Sequence, residues 1–316
     1  MTRRADSQYE FYLATEAATA IAVDALDLTI FNRVYLGNPY CLNYAQNLLT
    51  ERHDLSQTIG RLNAAGTQTI ISLPAMPCND ELPIVSALID FGISKGATGF
   101  EVHSAGVLHM LSQCKEAKDL HVVAGGFSNV YTQRTAALYA DKCATLIVPN
   151  YELPWDAIKN IAKHCDTPLE LLVHGKIPLG LSESCLLVER AAELSTNCPE
   201  SCLADLSLEF HIWQLRSFGK LTASGRDLCL LPEMPCFWQH GVKDFRIAGL
   251  TERPETINAI GSFYRRKIGS LARGDRTSLE EDALASLRGL TRYGLCNGYM
   301  YGTSGCDWIE QHLQSA

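Results

Sequence analysis

Short β-branched or aromatic runs alternate with amphipathic stretches along most of the chain. The runs EFYLA (Glu10–Ala14), RVYLG (Arg33–Gly37), TQTIISL (Thr67–Leu73), GFEVH (Gly99–His103), HVVA (His121–Ala124), TLIVP (Thr145–Pro149), LELLVH (Leu169–His174) and DFRIA (Asp244–Ala248) read as strands. Residues 16–27, 54–65, 80–95, 105–117, 130–141 and 153–165 carry helical periodicity between them. Asp54 and Asn79 or Asp80 are suited to start helices, and Gly66 and Gly96 to stop them. Repeated strand-then-helix order predicts a mainly parallel sheet with helices outside it. Eight strands predict an α/β fold, an irregular (β/α)8 TIM-barrel-like domain covering 1–316. An open doubly wound sheet is the alternative, although no GxGxxG follows the first strand. The alternation breaks at about 180–243, which reads as an irregular insertion after the seventh strand.

The 316 residues are 47% hydrophobic and 20% charged, enough for a large core, and the formal charge is −8. That balance counts against a nucleic-acid binder, which usually carries a basic footprint. No apolar run reaches the roughly 18–20 residues that span a bilayer, and the first residues, MTRRADSQYEFY, lack the apolar stretch of a signal peptide. A cytoplasmic location follows as the expectation, with the 12 cysteines reduced and mostly apolar fillers.

Three cysteines stand apart. In SESCLLVERAAELSTNCPESC, Cys185, Cys198 and Cys202 are spaced C-x12-C-x3-C inside the irregular region. A serine-capped helix start favours a thiolate at Cys185, and a turn at Ser195–Asn197 lets the other two fold back. Three packed core cysteines remain the alternative reading. If the sulfurs converge on a metal, a fourth ligand is needed, and Cys41 in YLGNPYC or Cys229 in GRDLCLL can reach the same face. Cys78, Cys114, Cys143 and Cys165 read as packing residues.

YLGNPYC, GKIPLGLSESC, CPESC and CNGY occur in that order between about residues 30 and 300. In this they resemble the collagenase-like peptidase family. The resemblance implies a barrel-like fold and a [4Fe–4S] cluster on Cys41, Cys185, Cys198 and Cys202, with Cys229 as competitor for the fourth position. It further implies a heterodimer with a UbiU-like homologous subunit and oxygen-independent, anaerobic hydroxylation of the aromatic ring of a ubiquinone precursor. Prephenate is the candidate oxygen donor, and related members hydroxylate RNA bases. Peptidase chemistry finds no support, because neither GxSxG nor HExxH is present. A non-catalytic, metal-stapled scaffold is a further alternative.

Polar residues at the strand ends (Glu101, His103, Asn129, Asn150 and His174) are placed to face a barrel mouth and hold an aromatic acid or quinone head. Glu101 and His174 lead that group. Capping and backbone satisfaction are the alternative for each, and no acid, base or nucleophile is assigned.

Overall fold

The computed structural model describes residues 11–41, 52–185, 207–210, 213–250, 252–275, 280–303 and 305–310. Eight parallel strands form its centre: β1 (Tyr12–Ala17), β2 (Arg33–Leu36), β3 (Gln68–Ser72), β4 (Gly99–Val102), β5 (His121–Ala124), β6 (Leu146–Ile147), β7 (Glu170–Leu181) and β11 (Asp244–Ile247). β1 to β6 pair in sequence order, and β11 lies between β1 and β7. Only the Ile147↔Leu169 bridge joins β6 to the approach of β7, where the Ile147 N–H donates to the Pro168 carbonyl at 3.0 Å. The arrangement is a distorted TIM-barrel-like one.

The eight expected strands all form, most within two residues of the expected bounds. β1 differs: it runs on through Thr15, Glu16 and Ala17, and the helix read from residue 16 forms only at Ala20–Asp24. Thr19 decides this boundary, because its extended backbone and its side-chain oxygen, accepting from Ala22 N–H at 3.2 Å, start the helix there. The helices Arg52–Ala64, Leu82–Lys95, Ala105–Gln113, Gln133–Lys142 and Trp155–His164 follow β2 to β6. Arg52–Ala64 begins two residues before Asp54, which lies inside its first turn rather than capping it. Gly96, at φ 78°, ends Leu82–Lys95 as expected.

The barrel strands are buried on both faces, as parallel strands covered by helices must be. Leu13, Val34, Ile71, Phe100, Val122 and Phe245 face outward to the helix layer. Ala14, Tyr35, Ile70, Val123, Leu146 and Val148 form a separate interior cluster.

β7 continues past the barrel and pairs antiparallel with β10 (Leu221–Cys229), which pairs with β9 (Trp213–Phe218), and β9 with β8 (Ser207–Phe210). β12 (Leu295–Cys296) adds to β10. The described part of the irregular region is therefore an antiparallel extension of β7. Helices Met234–Gln239, Pro254–Ala272 and Glu280–Gly289 complete the outer layer. Among the described residues no helix is long and apolar enough to cross a membrane.

Candidate functional site at the strand ends

Inside the barrel, β11 sends Arg246 into a cage of carboxylates. Its Nη1 lies 2.7 Å from Glu101 Oε1 on β4 and 3.4 Å from Glu16 Oε1 on β1, and its Nη2 lies 2.6 Å from Glu170 Oε1 on β7. The guanidinium also covers the Tyr35 ring at 3.5 Å, a cation–π contact. Below it Arg33 bridges Glu170 at 2.7 Å and Asp244 at 2.9 Å, and the Tyr35 hydroxyl donates to Glu170. These groups come from five strands and are almost fully buried. Such charges persist in a barrel interior only when paired and hydrogen-bonded.

Glu101, the first of the expected mouth residues, is therefore a pillar of this cage. Burial raises the pKa of its carboxyl, but Arg246 and His103 outweigh it and hold the group well below the usual carboxylate range. Ser72 donates to its second oxygen at 2.8 Å. His103 stands 3.5 Å from the same oxygen without hydrogen-bond geometry, and both its ring nitrogens are buried without partners. Its ring fits because residue 125 is glycine: a Cβ there would lie 2.3 Å from His103 Cε1 and 2.9 Å from Glu101 Oε1. Tyr40, His103, Phe127 and Tyr151 form a chain of edge-to-face and tilted rings across the ends of β2, β4, β5 and β6.

His174 takes a structural role. Its Nδ1 lies 3.2 Å from the Tyr264 hydroxyl, which itself donates to the Val173 carbonyl at 2.8 Å. Burial and then the Lys176 charge push its pKa down to about 3. A neutral imidazole donating to Tyr264 fits those contacts. Asn150 caps its own loop, accepting from Glu152 N–H at 3.0 Å and donating to Asn129 at 3.3 Å. Asn129 sits in the left-handed region at φ 55°, an end-of-turn role.

Above the cage a narrow cleft with about 20 Å3 of room is lined by Glu16, Asn38, Tyr40, Tyr151, Lys176 and Phe218, among others. Sequence reading missed Glu16 and Lys176. Glu16 opens the stretch with helical periodicity at 16–27, and Lys176 lies in GKIPLGL just ahead of Cys185. The usable signal was a lone charge inside an apolar strand, shared by Glu16 and Arg246. Gly175 has φ 102°, a conformation that disfavours side chains, and redirects β7 so that Lys176 reaches Asp227 on β10 at 3.1 Å.

Among the described residues the cysteines are not brought together as a metal centre. A four-thiolate cluster needs its ligands converging on one point. Among the described residues no three His, Cys, Asp or Glu side chains are grouped to hold a metal ion, which overturns the [4Fe–4S] expectation. Cys41 and Cys185 are half-buried. Cys198 and Cys202 lie outside the described residues. Cys229 is fully buried on β10 beside the Tyr264 hydroxyl at 3.7 Å, and burial pushes its thiol up to about 12.

An α/β barrel-like protein with a charged interior and an aromatic strand-end cleft is thus defined. Residues 13–310 match Peptidase family U32, and the chain belongs to that family. It is 23% identical over 261 residues to the 23S rRNA 5-hydroxycytidine C2501 synthase of Escherichia coli (strain K12), covering 81% of this chain. The chain spans only 39% of that relative's length. The solved U32 peptidase Mk0906 superposes with a TM-score of 0.46 at 11% identity, over 80% of this chain and 98% of that one. A putative dihydrodipicolinate synthetase from Pseudomonas aeruginosa gives 0.45 at 10% identity, over 90% and 99%.

Proposed function

We propose that the chain is a UbiV-like member of its family, a subunit that works in the cytoplasm with a UbiU-like homologue. Together they hydroxylate the aromatic ring of a ubiquinone precursor without dioxygen, with prephenate as candidate oxygen donor. The observation that carries this reading is the lining of the strand-end cleft, where the rings of Tyr40 and Tyr151 share the wall with the polar side chains of Glu16 and Lys176. A planar aromatic acid suits such walls: rings stack or meet edge to face, and an ammonium holds a carboxylate. The order of YLGNPYC, GKIPLGLSESC, CPESC and CNGY supports the particular branch.

A second reading has its own support. The curated relative is named for making 5-hydroxycytidine in 23S rRNA, also a ring hydroxylation, so this chain can instead act on an RNA base. The net charge of −8 counts against it. Proteolysis is not proposed, since no nucleophile elbow or zinc-binding helix motif is present.

Deletion of the gene followed by anaerobic growth decides between the two. Loss of ubiquinone, restored by the wild-type gene, supports the first reading. Unchanged ubiquinone with a missing hydroxylated RNA nucleoside establishes the second, and no change in either overturns both.

A further inference from the structure

We infer that the groove between the helices Pro254–Ala272 and Glu280–Gly289 binds a small monocarboxylate whose apolar body is the size of a six-membered ring. This site lies in the outer helix layer, apart from the strand-end cleft.

The groove follows from side-chain size. Phe263, Arg266 and Lys267 are spaced i, i+3, i+4 and share one face of the first helix. Asp282, Ala283 and Ser286 answer them from the second. Ala283 and Ser286 are short, so the facing side chains leave the space between the helices unfilled. Leu231, 2% exposed, closes the floor. The room is about 170 Å3, against about 20 Å3 in the strand-end cleft. An apolar cavity of about 150 Å3 admits a benzene ring. Leu231, Phe263 and Ala283 supply the apolar surface, while Arg266, Asp282 and Ser286 are exposed at the rim. An apolar floor with a few polar groups around it is the usual build of a small-molecule site.

Arg266 sets the charge of the ligand. Its guanidinium lies over the Phe263 ring, 4.7 Å from the centroid, and among the described residues it pairs with no carboxylate. Asp282 lines the same groove, yet no ion pair spans it. A guanidinium held against a ring keeps its planar fork for a carboxylate, which it meets with two parallel hydrogen bonds. Lys267, 4% exposed, adds a second positive charge to the wall. Asp282 opposes further negative charge, which favours one carboxylate over a dianion or a phosphate.

Benzoate is the probe, titrated calorimetrically into the full chain at about pH 7, where it is ionised. Binding with a Kd of about 1 mM or tighter is expected. Arg266→Gln should weaken it at least about fivefold, and benzyl alcohol, a ring without the charge, should bind at least about fivefold more weakly than benzoate. Ser286→Trp places a large ring at an exposed rim position and should abolish binding. Urea unfolding of both variants verifies that they are folded. No binding of benzoate at about ten times the expected Kd overturns the site. Unchanged affinity in Ser286→Trp overturns its placement in the groove. Unchanged affinity in Arg266→Gln, or equal affinity for benzyl alcohol, overturns the carboxylate assignment. These outcomes are independent of the quinone and nucleoside results.

Discussion

Arg246 and Glu101 face each other across the barrel interior at 2.7 Å, from strands 145 residues apart in the chain. Both side chains are about 2% exposed, so the pair sits where water cannot substitute for either partner. Replacing Arg246 by Met leaves Glu101 and Glu170 short of a counter-charge. A loss of about 3–5 kcal/mol is expected, the range for breaking a buried ion pair from one side. Urea unfolding checks it; a loss under about 1 kcal/mol would show that the cage relaxes freely.

Gly125 has φ −71°, which any residue adopts, so an alanine there strains nothing in the backbone. Its Cβ would instead strike the His103 ring. Gly125→Ala should therefore cost about 1–3 kcal/mol by overpacking. Combining it with His103→Ala should recover part of that cost. Strict additivity in the double-mutant cycle would mean that the two positions do not share this space.

His174 makes the fold sensitive to mild acid. Its folded pKa of about 3 lies below the ordinary 6.5, so the unfolded chain binds the proton more tightly. The stability it contributes is fully present above about pH 6.5 and drains away as pH falls toward 3. The slope approaches about 1.4 kcal/mol per pH unit. Glu101, also depressed, adds its loss only below its ordinary 4.5. Unfolding free energies between about pH 5 and about pH 6.5 should hence be flatter in His174→Asn than in wild type; parallel curves would contradict the neutral imidazole.

Thiol labelling should sort the cysteines by burial. Cys78 and Cys306 are exposed and should react with iodoacetamide in the native protein. Cys229 and Cys296 are buried, with thiols raised by burial to about 12 and about 11. They should become modified only on unfolding. Mass mapping after a short native pulse that found Cys229 alkylated would refute its placement.

The strands were legible because parallel strands buried on both faces leave dense apolar runs, such as TIISL and HVVA, between polar helices. The first boundary was lost to one residue: Thr19 caps a short helix, and the alternation through Thr15–Glu16–Ala17 looks the same as the start of a helical face. Glu101 was picked out by its strand-end position, but its service to Arg246 was invisible, since no local pattern tells a strand residue which partner it meets 145 positions later. The cysteine spacing suggested a metal centre because sequence distance reports reach, not placement. Among the described residues no such centre is grouped and Cys229 packs beside Tyr264, while Cys198 and Cys202 lie outside them.

The bridge at Ile147 makes β6 the loosest joint of the ring. Trp155, at the start of the helix after β6, donates its N–H to the Met300 carbonyl at 3.0 Å, and Asp227 N–H reaches the Gly294 carbonyl. Late residues thus brace both the helix that follows the joint and the extension of β7 beyond it. In chain order the gap at Ile147 comes first, and the residues that steady it follow more than a hundred positions later. The ring is made from one end and fastened from the other.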